Sequence, residues 1–260
     1  MCATCGCDSE TTVSIHGIEQ HSHEHHSEHE HHHAHPETGK KINLEQDVLY
    51  QNNLLAQRNR GYFEAKNILA LNLVSSPGSG KTTLLEKTLQ DTKNEISSYV
   101  IEGDQQTSND ADRIHATGTP VVQINTGKGC HLDAHMVLHA LQHMKPKDNS
   151  VMFIENVGNL VCPAMFDLGE DVRVVIASVT EGDDKPLKYP DMFHSSQLCI
   201  INKIDLLPYV PFNVEQFKEN TQKVSPKIEF IEVSAYKGDG LNTWYDWLKK
   251  KINQPEFSHH

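Results

Sequence analysis

The stretch Ser75-Ser76-Pro77-Gly78-Ser79-Gly80-Lys81-Thr82-Thr83 can cradle a chain of phosphates. It follows a short apolar run and opens a helical stretch, LLEKTL. Glycines let successive backbone N–H groups turn inward toward phosphate oxygens, and a helix N-terminus adds the positive end of its dipole. Lys81 would bridge the β- and γ-phosphates, and the Thr82 hydroxyl would ligate Mg²⁺. Gly78, Ser79, Gly80, Lys81, Thr82 and Thr83 are the predicted cradle residues. The first position of the pattern G-x-x-x-x-G-K-[ST] is Ser75 instead of glycine, with Gly78 and Gly80 left to cover the tight turn.

Two acids stand where a γ-phosphate sensor should be. Asp104, in Glu102-Gly103-Asp104-Gln105-Gln106-Thr107, ends one apolar run, and Glu155, in Glu155-Asn156-Val157-Gly158, ends another. With Lys81 they form the predicted catalytic set, and with Thr82 the predicted Mg²⁺ set. Phosphoryl transfer asks mainly for positioning and charge stabilisation. No glutamine is placed to orient the attacking water, so slow unstimulated turnover is expected.

Base choice is carried by Asn202-Lys203-Ile204-Asp205 after the run LCII. The Asp205 carboxylate can accept from the ring N–H and the exocyclic amino group of guanine, whereas adenine would leave that charge unpaired. Lys203 can lie along the base, and Asn202 can tie this loop to the phosphate cradle. Ser234 and Ala235, after the last apolar run, can offer a backbone N–H to the guanine carbonyl. Placed after such a cradle, NKxD selects GTP over ATP.

Metal-type residues occur in three places. Cys2, Cys5 and Cys7 bring three thiols into a short segment that can close around one soft or borderline cation, with redox sensing as the competing use. Ten histidines between His16 and His35, interrupted by acids, suit many weak exchangeable sites. Internally, Gly129-Cys130-His131-Leu132-Asp133-Ala134-His135 leads into a predicted helix over about 132–144, which carries His135 and His139 at i, i+4 spacing. Cys162 follows Glu155 by seven residues. A metal held by Cys130, His131 and Cys162 would therefore sense whether the Glu155 loop has closed on nucleotide. His135 and His139 are weaker ligand candidates because helical histidines are often surface residues. Cys199, inside LCIIN, reads as a buried apolar residue. The ligand set suits Ni²⁺ and Zn²⁺ alike.

The elements that must position these groups follow from pattern. Strands are predicted at 68–75, 98–103, 121–125, 151–156, 172–179, 198–202 and 227–233. Their continuous apolar runs imply strands covered on both faces, hence a mostly parallel sheet flanked by helices in three layers. Leu44, Val48, Leu49 and Leu55 predict a leading helix within 39–66. Leu241, Trp244, Tyr245 and Leu248 predict a final helix over about 240–251. The expected organisation is a disordered Cys/His-rich metal-binding tail (1–38) that cannot form a packed unit, the leading helix, and a P-loop nucleotide domain over 67–255 with an internal metal site.

Bulk properties agree. The tail holds seven acids and no Lys or Arg, more than half of the formal charge of −12. The remainder is modestly acidic with no basic stripe, which argues against nucleic acid. No apolar run spans a bilayer and no signal pattern opens the chain, so a cytoplasmic protein without membrane contact is expected. In a reducing compartment the six cysteines read as ligands or apolar side chains.

Assembled, these segments resemble the hydrogenase nickel-incorporation GTPases, the HypB family of the SIMIBI class of P-loop NTPases. The resemblance rests on C-x-x-C-G-C, SSPGSGKT, EGDQQTSNDA, GKGCHLDAHM, ENVGNLVCP, VTEGDDKP, NKIDLLP and SA. It implies a homodimer formed on GTP binding that helps load Ni²⁺ into the [NiFe]-hydrogenase large subunit together with other accessory proteins. It also implies an interface metal site of Cys130, His131 and Cys162, and in some members a second zinc site involving His135 and His139. A passive nickel or zinc store is the competing reading from a different class.

Overall fold

The computed structural model describes residues 12–14, 37–105 and 109–253, the backbone alone for 12–14 and 37–45. Cys2, Cys5, Cys7 and the histidine-rich tract lie outside the described residues.

Among the described residues, eight strands form one sheet: β1 (Thr12–Ser14), β2 (Leu69–Ser75), β3 (Ser98–Asp104), β4 (Val121–Asn125), β5 (Val151–Glu155), β6 (Val172–Ser178), β7 (Leu198–Asn202) and β8 (Glu229–Glu232). Their order is β1-β4-β3-β5-β2-β6-β7-β8. Strands β2 to β8 pair in parallel, as the unbroken apolar runs predicted. Strand β1, which no sequence pattern indicated, pairs antiparallel with the edge strand β4, Val13 opposite Ile124.

The helices are α1 (Glu37–Ala65), α2 (Lys81–Thr92), α3 (Asn109–His115), α4 (Ala134–Met144), α5 (Lys185–Lys188), α6 (Pro190–His194), α7 (Val214–Val224) and α8 (Leu241–Asn253). They cover both faces of the sheet. On one face, Leu71, Leu73, Val100 and Phe153 pack with Leu84, Leu85 and Leu89 of α2, Ile114 of α3, and Trp244 and Leu248 of α8. On the other, Ala70, Ile101, Met152 and Ile154 pack with Phe63 of α1 and Val137, Ala140 and Leu141 of α4. Beyond them, Val175, Cys199 and Ile201 meet α6 and α7 through Met192, Phe193 and Phe217. The predicted final helix and its four buried residues are present.

The leading helix is also present, but its apolar spacing marked only part of the buried face, with Leu49 and Leu55 half-buried. Val48 is 43% exposed, whereas Asn52, Ala56, Asn59 and Phe63 are buried. Two of the buried residues are asparagines, and both bond backbone at the start of α4 or in the loop before β6. Asn59 Nδ2 donates to Ala134 O (2.8 Å) and Leu168 O (3.0 Å), and Asn52 Oδ1 accepts Ala134 N–H (2.9 Å). Arg60 adds a salt bridge to Asp167 (2.9 Å). Helix α1 thus anchors the start of α4, three residues after His131.

Candidate nucleotide and metal site

Among the described residues, the cradle, the Asp104 and Glu155 segments, the Cys130–His131 loop and NKxD all follow the C-terminal ends of parallel strands, where open α/β sheets hold their ligands. Strand β2 runs through Ser75 and passes into the cradle. Gly78 and Gly80 adopt positive φ (75° and 93°), while Ser75, still in the strand, does not. The missing first glycine is therefore not needed. Gly80 has a second constraint: a Cβ there would sit 2.5 Å from Asn202 Nδ2.

The base-binding lip is tied to the cradle as expected. Asn202 Nδ2 donates to Ser79 O (2.9 Å) and Lys203 Nζ to Gly78 O (2.6 Å). Asn202 Oδ1 accepts Ala235 N–H (3.0 Å), and Asp205 Oδ1 accepts the Ser234 hydroxyl (2.6 Å). The last bond aims the carboxylate of Asp205 and couples the two loops on which guanine would rest.

At the cradle's mouth, Lys81 Nζ and Thr82 Oγ1 both lie 2.6 Å from Glu155 Oε1. Glu155 Oε2 and Ser79 Oγ are buried and have no hydrogen-bond partner among the described residues. Buried polar atoms normally find partners, so these two fit a site that accepts a phosphate and its cation. Thr83, next along the helix, receives Arg113 Nη2 at 3.1 Å. Asp104 ends β3, and its Oδ1 accepts Gln105 N–H (2.7 Å). Gln106, Thr107 and Ser108 lie outside the described residues.

A third carboxylate went unnoticed in the sequence reading. Glu102 is paired in register with Glu155 across β3 and β5, and its Oε2 is buried without a partner among the described residues. Burial first, then the nearby Glu155 charge, pushes its carboxyl up to about 8, against the pull of Lys81. The signal was available: Glu102 and Asp104, two apart on a strand, share a face.

The metal residues converge. Cys130 and Cys162 bring their sulfurs to 2.7 Å, with His131 Nδ1 3.8 Å from Cys130 Sγ, and all three ligand atoms lie within 4.8 Å of one another. A tetrahedral ion with metal–sulfur bonds of about 2.3 Å sets two sulfurs roughly 3.8 Å apart, so loading would part the thiols by about 1 Å. His131 stacks on Phe166, ring centroids 3.9 Å apart. Burial lowers its pKa, opposed by Asp133, which favours the neutral imidazole that metals require. Separately, His135 Nε2 and His139 Nε2 stand 3.1 Å apart on the exposed face of α4, close to the spacing of two imidazoles on one ion. Burial, then His135 and His143, lowers the His139 pKa. Cys199 is fully buried in β7, and burial pushes its thiol pKa far up, as befits an apolar residue.

The loops bearing these ligands are bonded to the loops bearing the carboxylates. Gln105 Nε2 donates to Gly129 O (3.1 Å), and Thr126 donates its N–H to Asp104 O (2.9 Å) and its hydroxyl to Gly129 O (2.8 Å). Asn159 Nδ2 reaches Cys130 O (3.3 Å).

The family model described as "CobW/HypB/UreG, nucleotide-binding domain" matches residues 69–232. That span takes in the cradle, both carboxylates, the Cys/His triad and NKxD, and stops short of Ser234 and Ala235. The hydrogenase maturation factor HypB of Escherichia coli K12 is 57% identical over 210 residues, covering 81% of this chain and 72% of its own. The chain belongs to the HypB family. The Rhizobium leguminosarum bv. viciae HypB is likewise 57% identical, over 208 residues, covering 80% of this chain and 70% of its own. Among solved structures, HypB of Archaeoglobus fulgidus superposes with a TM-score of 0.73 at 40% identity, covering 78% of this chain and 100% of that one. HypB from Helicobacter pylori in complex with nickel superposes at 0.75 and 38%, covering 81% and 99%. No helix among the described residues is long and apolar enough to cross a membrane.

Proposed function

We propose that this chain is a GTP-hydrolysing nickel metallochaperone that helps insert Ni²⁺ into the active site of [NiFe]-hydrogenase. In this reading metal affinity is linked to the nucleotide state and to formation of a GTP-bound homodimer. The observation that carries the reading is the physical continuity between Cys130, His131 and Cys162 and the loops that bear Asp104 and Glu155. A passive store would have no reason to seat its ligands there.

Each residue has a task. Gly78, Ser79, Gly80 and Thr83 hold the phosphates through backbone N–H groups, and Lys81 neutralises the β- and γ-phosphates. Thr82, Asp104 and Glu155 would hold Mg²⁺, which when bound supplies charge neutralisation on the phosphates. Lys81 and Thr82 converge on one Glu155 oxygen, so an arriving γ-phosphate competes for Lys81 and frees the carboxylate to move. Asn202, Lys203, Asp205, Ser234 and Ala235 orient guanine. Cys130, His131 and Cys162 hold the cargo ion, Ni²⁺ or Zn²⁺, and His135 with His139 offer a second, exposed clamp. Cys2, Cys5, Cys7 and the histidine tract collect metal and pass it inward. Hydrogenase accessory proteins and the hydrogenase large subunit are the partners, and the cytoplasm is the compartment.

The test is Ni²⁺ affinity in a chain whose Cys2, Cys5 and Cys7 are serine, measured with GDP and with a non-hydrolysable GTP analogue. A difference between the two supports the chaperone; identical affinities favour storage. In the same background Cys162→Ala should weaken Ni²⁺ binding by at least about tenfold, since even partners of a ligand act on that scale. GTP affinity should stay within about twofold.

A further inference from the structure

Neighbouring residues of a strand face opposite sides of the sheet, and both carboxylate-bearing strands use that alternation. Glu102, Asp104 and Glu155 are in phase with Val100 and Phe153, which pack under α2 beside the phosphate cradle. Gly103 and Asn156 are in phase with Ile101 and Ile154, which pack under α1 and α4 on the metal side. One residue meets both of them. Leu132, immediately after His131, is fully buried and seats its side chain on Gly103, where a Cβ would lie 2.7 Å from Leu132 Cγ. Its N–H is held by Asn156 Oδ1 at 3.0 Å.

Asn156 is fully buried and anchored on the core side as well. Its N–H continues the ladder to Leu73 O (3.0 Å), and its Nδ2 donates to Asn72 Oδ1 (3.3 Å). Asn72 Nδ2 passes to Glu170 Oε1 (3.0 Å), and Arg173 joins Glu170 (2.7 Å) to the carbonyls of Ala164 (3.1 Å) and Phe166 (2.9 Å). Those carbonyls belong to the turn that starts at Cys162, and Phe166 is the ring stacked on His131. The buried polar chain therefore runs from the Cys130–His131 loop, through the residue next to Glu155, to the loop of the third ligand.

From this arrangement we infer that Leu132, seated on Gly103 and held by Asn156, is the joint that transmits the nucleotide state to the metal ligands, with Asn156 as its positioning residue. It rests on the nucleotide-linked reading above and specifies the path. A shift of Glu155 or Asp104 toward nucleotide on one face moves Asn156 or Gly103 on the other, and Leu132 carries that shift to His131 and Cys130. Leu132 meets Gly103 of β3 and the residue that directly follows β5, so movement of either one alters the triad.

The experiment uses the full chain with Cys2, Cys5 and Cys7 as serine. Ni²⁺ affinity is read by competition with a chromophoric chelator, with GDP and with a non-hydrolysable GTP analogue. Wild type should give an affinity ratio between the two states of at least about fivefold, the lower range of allosteric couplings. Asn156→Ala and Gly103→Ala should each bring the ratio to within about twofold of one, while GTP affinity and GDP-state Ni²⁺ affinity stay within about threefold. A purely structural role would lower thermal stability and leave the ratio intact. Should Gly103→Ala fold poorly, Gly103→Ala combined with Leu132→Ala relieves the clash and should still lack the ratio. A wild-type ratio preserved in the folded variants overturns the joint alone. A ratio of one in wild type overturns the nucleotide-linked reading, and the joint with it.

Discussion

The base-binding lip and the metal corner sit on the same edge of one sheet, yet they are held in different ways. At the lip, side chains of Asn202, Lys203, Asp205 and Ser234 bond the cradle and one another, through Ser79 O, Gly78 O and Ala235 N–H. Each partner belongs to the nucleotide site itself, so the lip is assembled in advance. At the metal corner, Cys130 and Cys162 come from the loops that follow β4 and β5, and the bonds that fix the Cys130 loop end on Gln105, Asn156 and Asn159. Gln105 and Asn156 follow Asp104 and Glu155 directly, and Asn159 is on the same loop as Asn156. In the proposed function the lip would recognise and the corner would respond.

The sharpest way to break this contrast is Lys81→Ala. It leaves Glu155 as a buried, uncompensated charge and removes the cation proposed for the γ-phosphate. GTP turnover should fall by at least about a hundredfold, on the scale of losing one transition-state donor, while Ni²⁺ binding to the tail thiols is retained. Steady-state phosphate release checks it, and retained turnover would sink the cradle assignment.

Asp205→Asn probes the lip alone. Guanine would lose two charge-assisted hydrogen bonds, each worth about 1.5–3 kcal/mol, so GTP affinity should drop by at least about a hundredfold. Xanthine carries a carbonyl where guanine has its amino group, and xanthosine triphosphate should bind the variant better than GTP does. Ni²⁺ affinity at the triad should not change without nucleotide. If it does, lip and corner are less separate than the bonding suggests.

The smallest effect is a control at the opposite end of the sheet. Burial raises the Asp171 pKa to about 6, although its Oδ2 accepts Ala70 N–H at 2.7 Å. A raised carboxyl favours folding while protonated, so its contribution is present below the ordinary pKa near 4 and is lost as pH rises through about 6. Asp171→Asn keeps the acceptor and should raise the melting temperature relative to wild type above about pH 6, with little difference near pH 4. Both functional sites should be unaffected.

What could be read from sequence was local. The cradle, NKxD and GKGCHL are short segments in which residue type and spacing already imply chemistry, and all seven predicted strands formed. The missing first glycine was no defect, because Ser75 is still strand. What escaped was set by distant pairings. Asn72, Asn156 and Leu132 meet across separations of 24 and 84 residues, and no periodicity reports that. Helix α1 was only partly legible for the same reason: its buried face runs through Asn52 and Asn59, which bond backbone at Ala134 and Leu168, as well as through Ala56 and Phe63, while Val48 is exposed. Glu102 was legible from strand alternation and was passed over beside Asp104.

The central claim is that the internal site, and not the tail, answers to nucleotide. It is tested most directly by metal stoichiometry and X-ray absorption coordination in a chain with Cys2, Cys5 and Cys7 as serine, with and without Cys130→Ala and Cys162→Ala, in the GDP and GTP-analogue states. The account predicts an ion with two sulfur ligands whose coordination differs between the two states, and loss of that ion in the double variant. Unchanged coordination across nucleotide states, or a double variant that keeps the same ion, would contradict it.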